Sequence, residues 1–139
     1  MALHPTGGCR CGMVRYECTA DFIAMSFCYC RDCQRLSGSA FGSFVLIPPG
    51  SLRLQKGQPR SYATTTDSGR LMTREFCGDC GSPLFARTEN IFGITAGSLD
   101  EPSVLQPSMA IWLDSAQSWA PVPDHLQRFS RNPPISSNG

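Results

Sequence analysis

No run in the sequence approaches the roughly 20 apolar residues that a helix needs to cross a bilayer, so a soluble protein is expected. A dominant charge is missing as well: 12 Lys plus Arg stand against 11 Asp plus Glu, a formal net charge of +1. That field is too weak to draw nucleic acid or an anionic membrane over distance. Met1–Gly8 contains no charged stretch followed by an apolar one, so no secretory signal is visible and a reducing, cytoplasmic setting is expected. Histidine is scarce. His4 and His125 lie outside any cluster of metal-ligating residues and read as surface or packing groups. A sustained 3.6-residue periodicity is absent too, which disfavours a helical domain. At 139 residues the chain fits one domain with one hydrophobic core.

What the sequence does have is cysteine: Cys9, Cys11, Cys18, Cys28, Cys30, Cys33, Cys77 and Cys80. An even number invites a disulfide framework, but chiefly in an exported protein. Seven of the eight also fall into tight clusters with chelating spacing, not scattered for pairing at a distance. Metal, zinc foremost, is the leading account.

Short β-favouring runs dominate the rest: Met13–Glu17, Ala24–Phe27, Phe44–Ile47, Leu52–Gln55, Ser61–Thr65, Leu71–Phe76, Ile91–Thr95 and Met109–Leu113. Turn formers at Pro48–Gly50, Gly57–Pro59, Asp67–Gly69 and Gly81–Pro83 separate them at hairpin spacing. Two helical turns are expected, Arg31–Leu36 closed by Gly38 and a second near Asp124–Phe129. The reading is a mainly β domain over 1–129, followed by a flexible tail over 130–139 that lacks core formers.

Cys77-Gly-Asp-Cys80-Gly is a knuckle, in which two thiolates two residues apart reach one tetrahedral ion while glycine lets the backbone turn around it. Cys9-Arg-Cys11-Gly offers a second pair, and the two together supply four sulfurs for a closed structural zinc. Binding energy of about 10–16 kcal/mol would make such an ion comparable with a whole domain's stability. The third cluster, Cys28-Tyr-Cys30-Arg-Asp-Cys33, has only three thiols, and three protein ligands leave a coordination place for water or substrate. Zinc with three thiolates carries a formal charge of −1 and is a poor generator of hydroxide, so a substrate thiolate is the expected visitor. Alternatives remain at this cluster: a second structural site completed by His4, His125 or Cys18, or a redox dithiol. A zinc deaminase is disfavoured by the missing His-x-Glu and Pro-Cys-x-x-Cys elements, and a thioredoxin-like site by the hairpin pattern.

Four segments in order, Gly7–Glu17, Cys28–Cys33, Phe76–Leu84 and Ala96–Asp100, resemble the glutathione-dependent formaldehyde-activating enzyme family, which includes centromere protein V. The resemblance runs from Gly7 to about Phe129 and takes in Ile111-Trp112 and Trp119. It implies a β-tent fold with two zinc-sulfur centres: Cys9, Cys11, Cys77 and Cys80 as structural ligands, Cys28, Cys30 and Cys33 as ligands of a catalytic zinc. It implies a carbon-sulfur lyase-type reaction joining the glutathione thiol to formaldehyde as S-hydroxymethylglutathione. Tyr29 stands where many members carry His, so the family pattern departs inside the proposed site.

Around that cluster Tyr29 is a candidate hydrogen-bond or proton donor, and Arg31 and Arg35 are candidates for pairing with substrate carboxylates. Each has a plainer reading: Tyr29 as a buried aromatic, the arginines as solvent-facing groups. Arg74, on the strand leading to Cys77, is a weaker candidate. Cys18, Phe41, Phe44, Phe76, Phe85, Phe92 and Trp112 read as core. Two further functions compete with the enzyme: a zinc-stabilised protein-interaction module, and a redox sensor that releases zinc on oxidation. No basic run supports nucleic-acid binding.

Overall fold

Residues 4–133 are described by the structure, a computed structural model. In chain order the strands are β1 (Thr6–Gly8), β2 (Arg15–Cys18), β3 (Ala24–Cys28), β4 (Gly42–Ile47), β5 (Leu52–Lys56) and β6 (Arg60–Thr65). They continue as β7 (Leu71–Phe76), β8 (Pro83–Arg87), β9 (Phe92–Thr95), β10 (Met109–Ile111) and β11 (Gln127–Arg128), with the helix α1 (Arg31–Ser37) between β3 and β4. The fold is mainly β, as expected. A small antiparallel sheet of order β1-β2-β5 leans on an open sheet of order β11-β10-β3-β4-β9-β8-β7-β6, giving a β-tent and no closed barrel.

Alternation along the strands builds the seam between the sheets. Tyr16 and Cys18 of β2 point inward and meet Val45 and Ile47 of β4, Leu84 and Phe85 of β8, and Ile94 of β9. Tyr16 stands edge-on to Phe85 at 5.1 Å between ring centres, and its hydroxyl meets Ser98 Oγ at 2.6 Å. The sheets are also clasped at one end, where Asp100 N–H donates to Thr6 O and Arg15 forms a two-pronged bond to the Asp100 carboxylate.

Helix α1 begins on a cysteine. Cys30 occupies the N-cap with extended backbone, and its sulfur accepts from Cys33 N–H at 3.4 Å. Gly38 closes the helix in the left-handed region at φ 66°, its N–H donating to Gln34 O.

The second expected helical turn is not formed. Asp124–Phe129 instead makes a turn and strand β11, parallel to β10, with Gln127 N–H donating to Ser108 O and Phe129 N–H to Ala110 O. Six residues make a poor isolated helix, whereas the edge of β10 offers ready carbonyls and Leu126 gains burial against Ala110 and Tyr29. Strand β8 was not expected; its first residue falls in a turn signal, yet Leu84, Phe85 and Ala86 are all buried. Ser130, Arg131 and Asn132, assigned to the tail by the sequence, are tied down. Trp112 N–H donates to Arg131 O, its indole N–H donates to Asn132 Oδ1, and Asp114 N–H donates to Ser130 O. Residues 134–139 lie outside the described part.

Candidate functional site

The first cysteine cluster sits where β1 and β7 both run out. Cys9 and Cys11 lie on the tight turn after β1, and Cys77 and Cys80 on the knuckle after β7, where Gly81 N–H donates back to Cys77 O. The four sulfurs lie within 4.8 Å of one another, Cys9 to Cys11 at 3.6 Å and Cys11 to Cys77 at 3.8 Å. A tetrahedron with metal–sulfur bonds of about 2.3 Å has edges of about 3.8 Å, so these donors fit a four-sulfur ion such as zinc. Backbone N–H groups already point at them, Val14 at Cys9 Sγ (3.3 Å) and Asp79 at Cys77 Sγ (3.4 Å), contacts of the kind that orient metal-binding sulfurs. Side-chain and backbone hydrogen bonds from Ser82 hold the Cys80 thiol down to about 5.

The second cluster forms where β3 hands over to α1. Cys28 closes the strand, Cys30 caps the helix and Cys33 sits in its first turn, so a strand end and a helix start converge three sulfurs to within 4.8 Å. Among the described residues no further Cys, His, Asp or Glu joins them. The groups considered as a fourth ligand are elsewhere: Cys18 is fully buried in the main core, His4 lies 3.8 Å from Glu17, and His125 is exposed on the turn before β11. Hydrogen bonds from Cys28 and then Cys33 hold the Cys30 thiol down to about 2, and the bond to Cys30 pushes Cys28 up to about 12. The trio on its own thus concentrates its charge on Cys30; a bound metal takes up all three thiolates and releases the protons. This donor set too fits zinc, with one position left over.

A cavity of about 160 Å³ opens over these sulfurs. Phe44, Leu46, Met72, Ile91 and Ile111 make it apolar, the Thr66–Arg70 turn of the β6–β7 hairpin overhangs it, and Trp112 and Asn132 stand at its side. Trp112 is the one non-glycine residue at positive φ among those described, at 60°. A bulky residue held there costs on the order of 1–3 kcal/mol and is kept only where the surroundings insist. Arg131 stacks on its ring at 5.1 Å. The sequence marks Trp112 as core, and no residue-type signal distinguishes it; its role in forming the cavity comes from tertiary placement.

The expected polar partners are placed differently from the sulfurs. Tyr29 is fully buried on the far side, its hydroxyl donating to Pro121 O at 2.7 Å and its ring tilted against Phe41. It does not line the cavity, and its proton is already committed, so the plainer reading as a buried aromatic describes it. Arg31 donates to Gln34 Oε1 and, with exposed Arg35, borders a separate depression with Gln117 and Trp119 that shares no residue with the cavity. Two arginines do line the cavity, exposed Arg70 on the overhanging turn and Arg74 on β7, the latter 8% exposed.

Two sheets leaning together, carrying one four-cysteine centre and one three-cysteine centre beside an apolar cavity, define a mainly β protein built around two metal-type cysteine sites. Residues 4–115 match the family of the glutathione-dependent formaldehyde-activating enzyme, and the chain belongs to that family. Its fold is similar to that of a Rhodobacter sphaeroides protein solved by crystallography, with a TM-score of 0.53 at 20% identity, covering 73% of this chain and 91% of that one. No helix among the described residues is long and apolar enough to cross a membrane.

Proposed function

We propose that the chain is a zinc-dependent enzyme of the carbon-sulfur lyase type, acting on a small thiol and an aldehyde, with glutathione and formaldehyde as the pair the family suggests. The observation that carries this reading is the unequal donor count: Cys9, Cys11, Cys77 and Cys80 close one tetrahedron, while Cys28, Cys30 and Cys33 leave one corner beside a cavity. When bound at the three cysteines, zinc would hold a substrate sulfur as thiolate and keep it nucleophilic near neutral pH.

The chain's own groups do the rest. Phe44, Leu46 and Ile111 exclude water, which would otherwise hydrate the aldehyde. The strand-to-helix junction fixes the three sulfurs relative to one another, since Cys28 is held by pairing to β4 and β10 and Cys30 by its capping bond. In the reaction the thiol sulfur forms a bond to the carbonyl carbon, the C=O π pair moves to oxygen, and the thiol proton ends on that oxygen as hydroxyl. Atoms and charge balance without a redox partner. Eight cysteines with no disulfide among them suit the reducing cytoplasm.

The test is exchange NMR with carbon-13 formaldehyde and glutathione on the zinc-loaded chain. The rate of S-hydroxymethylglutathione formation should exceed the spontaneous rate, and Cys30→Ser should return it to that rate with one zinc lost per chain. A wild-type rate equal to the spontaneous one overturns the proposal.

A further inference from the structure

The cavity over Cys28, Cys30 and Cys33 is too small for a whole peptide-sized thiol. At about 160 Å³ it compares with an engineered cavity of about 150 Å³ that takes a benzene, whereas pockets for larger ligands run to about 300–1,000 Å³. A second, open hollow of about 640 Å³ adjoins it, and the residues common to both are Cys33, Phe44 and Arg74. Arg74 is therefore the cationic side chain at the junction.

Its state is unusual. Arg74 is 8% exposed and its side chain forms no hydrogen bond or ion pair with any described residue, yet no polar side-chain atom is sealed away unpartnered. Its nitrogens therefore open onto the hollows. The Cys30 thiolate acts on it through space, but no acceptor bonds its guanidinium, and leaving those donors unbonded in such a place is costly. The space before it is kept open by its own sheet: Arg74 on β7 lies across from Ala86 on β8, which lies across from Gly93 on β9. A Cβ on Gly93 would already touch Phe44 at 3.5 Å and Leu46 at 3.7 Å. The other charged groups on the cavity are the three cysteine sulfurs, of which Cys30 interacts with Arg74, and Asp32, Asp67 and Arg70.

We propose that Arg74 determines specificity by taking a carboxylate of the thiol substrate where the two hollows join, so that the site selects carboxylate-bearing thiols over neutral ones. The planar fork of a guanidinium matches a carboxylate in two-pronged geometry, which a lysine's point charge does not. This rests on the thiol-binding role proposed above for the three cysteines.

The experiment measures calorimetric binding of 3-mercaptopropionate and of its neutral amide, 3-mercaptopropionamide, to the zinc-loaded full chain. Wild type should prefer the carboxylate by roughly tenfold or more, the scale of one charge-assisted pair. Arg74→Met should erase the preference while amide binding stays within about twofold, and Arg74→Lys should retain part of it. Zinc content and melting temperature are read on each variant. Should Arg74→Met fail to fold, the wild-type pair and Arg74→Lys still decide. Equal wild-type affinity for both thiols overturns the proposal, as does a preference undiminished in the variants. Equal loss of both thiols in the variants assigns Arg74 to the charge of the metal centre and overturns it as well. Failure of the underlying reading looks different: wild type then binds neither thiol, and the proposal falls with it.

Discussion

The Gln34 amide uses both its ends: Nε2 donates to the carbonyls of Tyr29 (2.7 Å) and Ser115 (3.1 Å), and Oε1 accepts from Arg31 and Gln117. It is buried on α1 and stitches the helix to the segment after β10, so the three-sulfur cluster cannot drift from the cavity wall. Gln34→Ala strands one buried carbonyl and one part-buried one and is expected to cost about 1–3 kcal/mol. Urea midpoints of the two proteins check this, and an unchanged midpoint would remove Gln34 from the account. The cysteines divide at the same scale. Cys77→Ser should unfold the chain or cost it several kcal/mol, because metal-coupled folding of such centres is worth about 10–16 kcal/mol. Cys30→Ser should melt within a few degrees of wild type while holding one zinc in place of two. Comparable losses in both variants would make the second centre structural. Residue identity made both cysteine sets legible from spacing alone. It could not reveal that Tyr29 turns inward or that Arg74 faces the cavity, since neighbours on β8, β9 and β10 decide each side chain's surroundings.

Elements follow from local chemistry unevenly. Helix α1 was readable because its stop, Gly38, is a residue whose left-handed backbone only glycine adopts readily. Strand β8 was hidden because Pro83 mimics a turn, although a proline is tolerated as the first residue of a strand. The link from β5 to β6 turns on Gly57 at φ 74°, where a Cβ would lie 2.0 Å from Met13 O. That neighbour is backbone and cannot swing aside. Gly57→Ala should therefore destabilise by more than about 1 kcal/mol, with the shift in thermal midpoint as the measurement. A neutral outcome would show that the β5–β6 connection is pliable.

Across the whole molecule, two ties hold the leaning sheets beyond the shared core. One is the four-sulfur centre, joining the turn after β1 to the knuckle after β7. The other is Asp100, which accepts from Arg15 at 3.0 and 2.5 Å and from Thr6 at 2.6 Å. The Arg15 bond first, then Thr6, lowers the Asp100 pKa. A carboxylate with a lowered folded-state pKa stabilises above its unfolded pKa and loses that contribution as pH falls through the folded one. The pair is partly exposed, at 34% and 42%, so its worth is under about 1 kcal/mol. Asp100→Asn should be slightly less stable than wild type at pH 7 and converge with it in acid, by melting temperature against pH. A difference that persisted at low pH would point to shape in place of charge. The mainly β class was legible from hairpin punctuation. The pairing of strands distant in sequence, such as β10 beside β3, was not, because register depends on contacts between segments far apart in the chain.

Seven sulfurs shared between two ions is the claim on which the functional reading stands, and zinc-edge X-ray absorption of the zinc-loaded protein counts them directly. The expected average is about 3.5 sulfurs per zinc with a lighter atom making up the remainder, rising to about 4 when glutathione is added. An average of about 4 before any thiol is present, or one that glutathione leaves unchanged, contradicts an open three-cysteine centre.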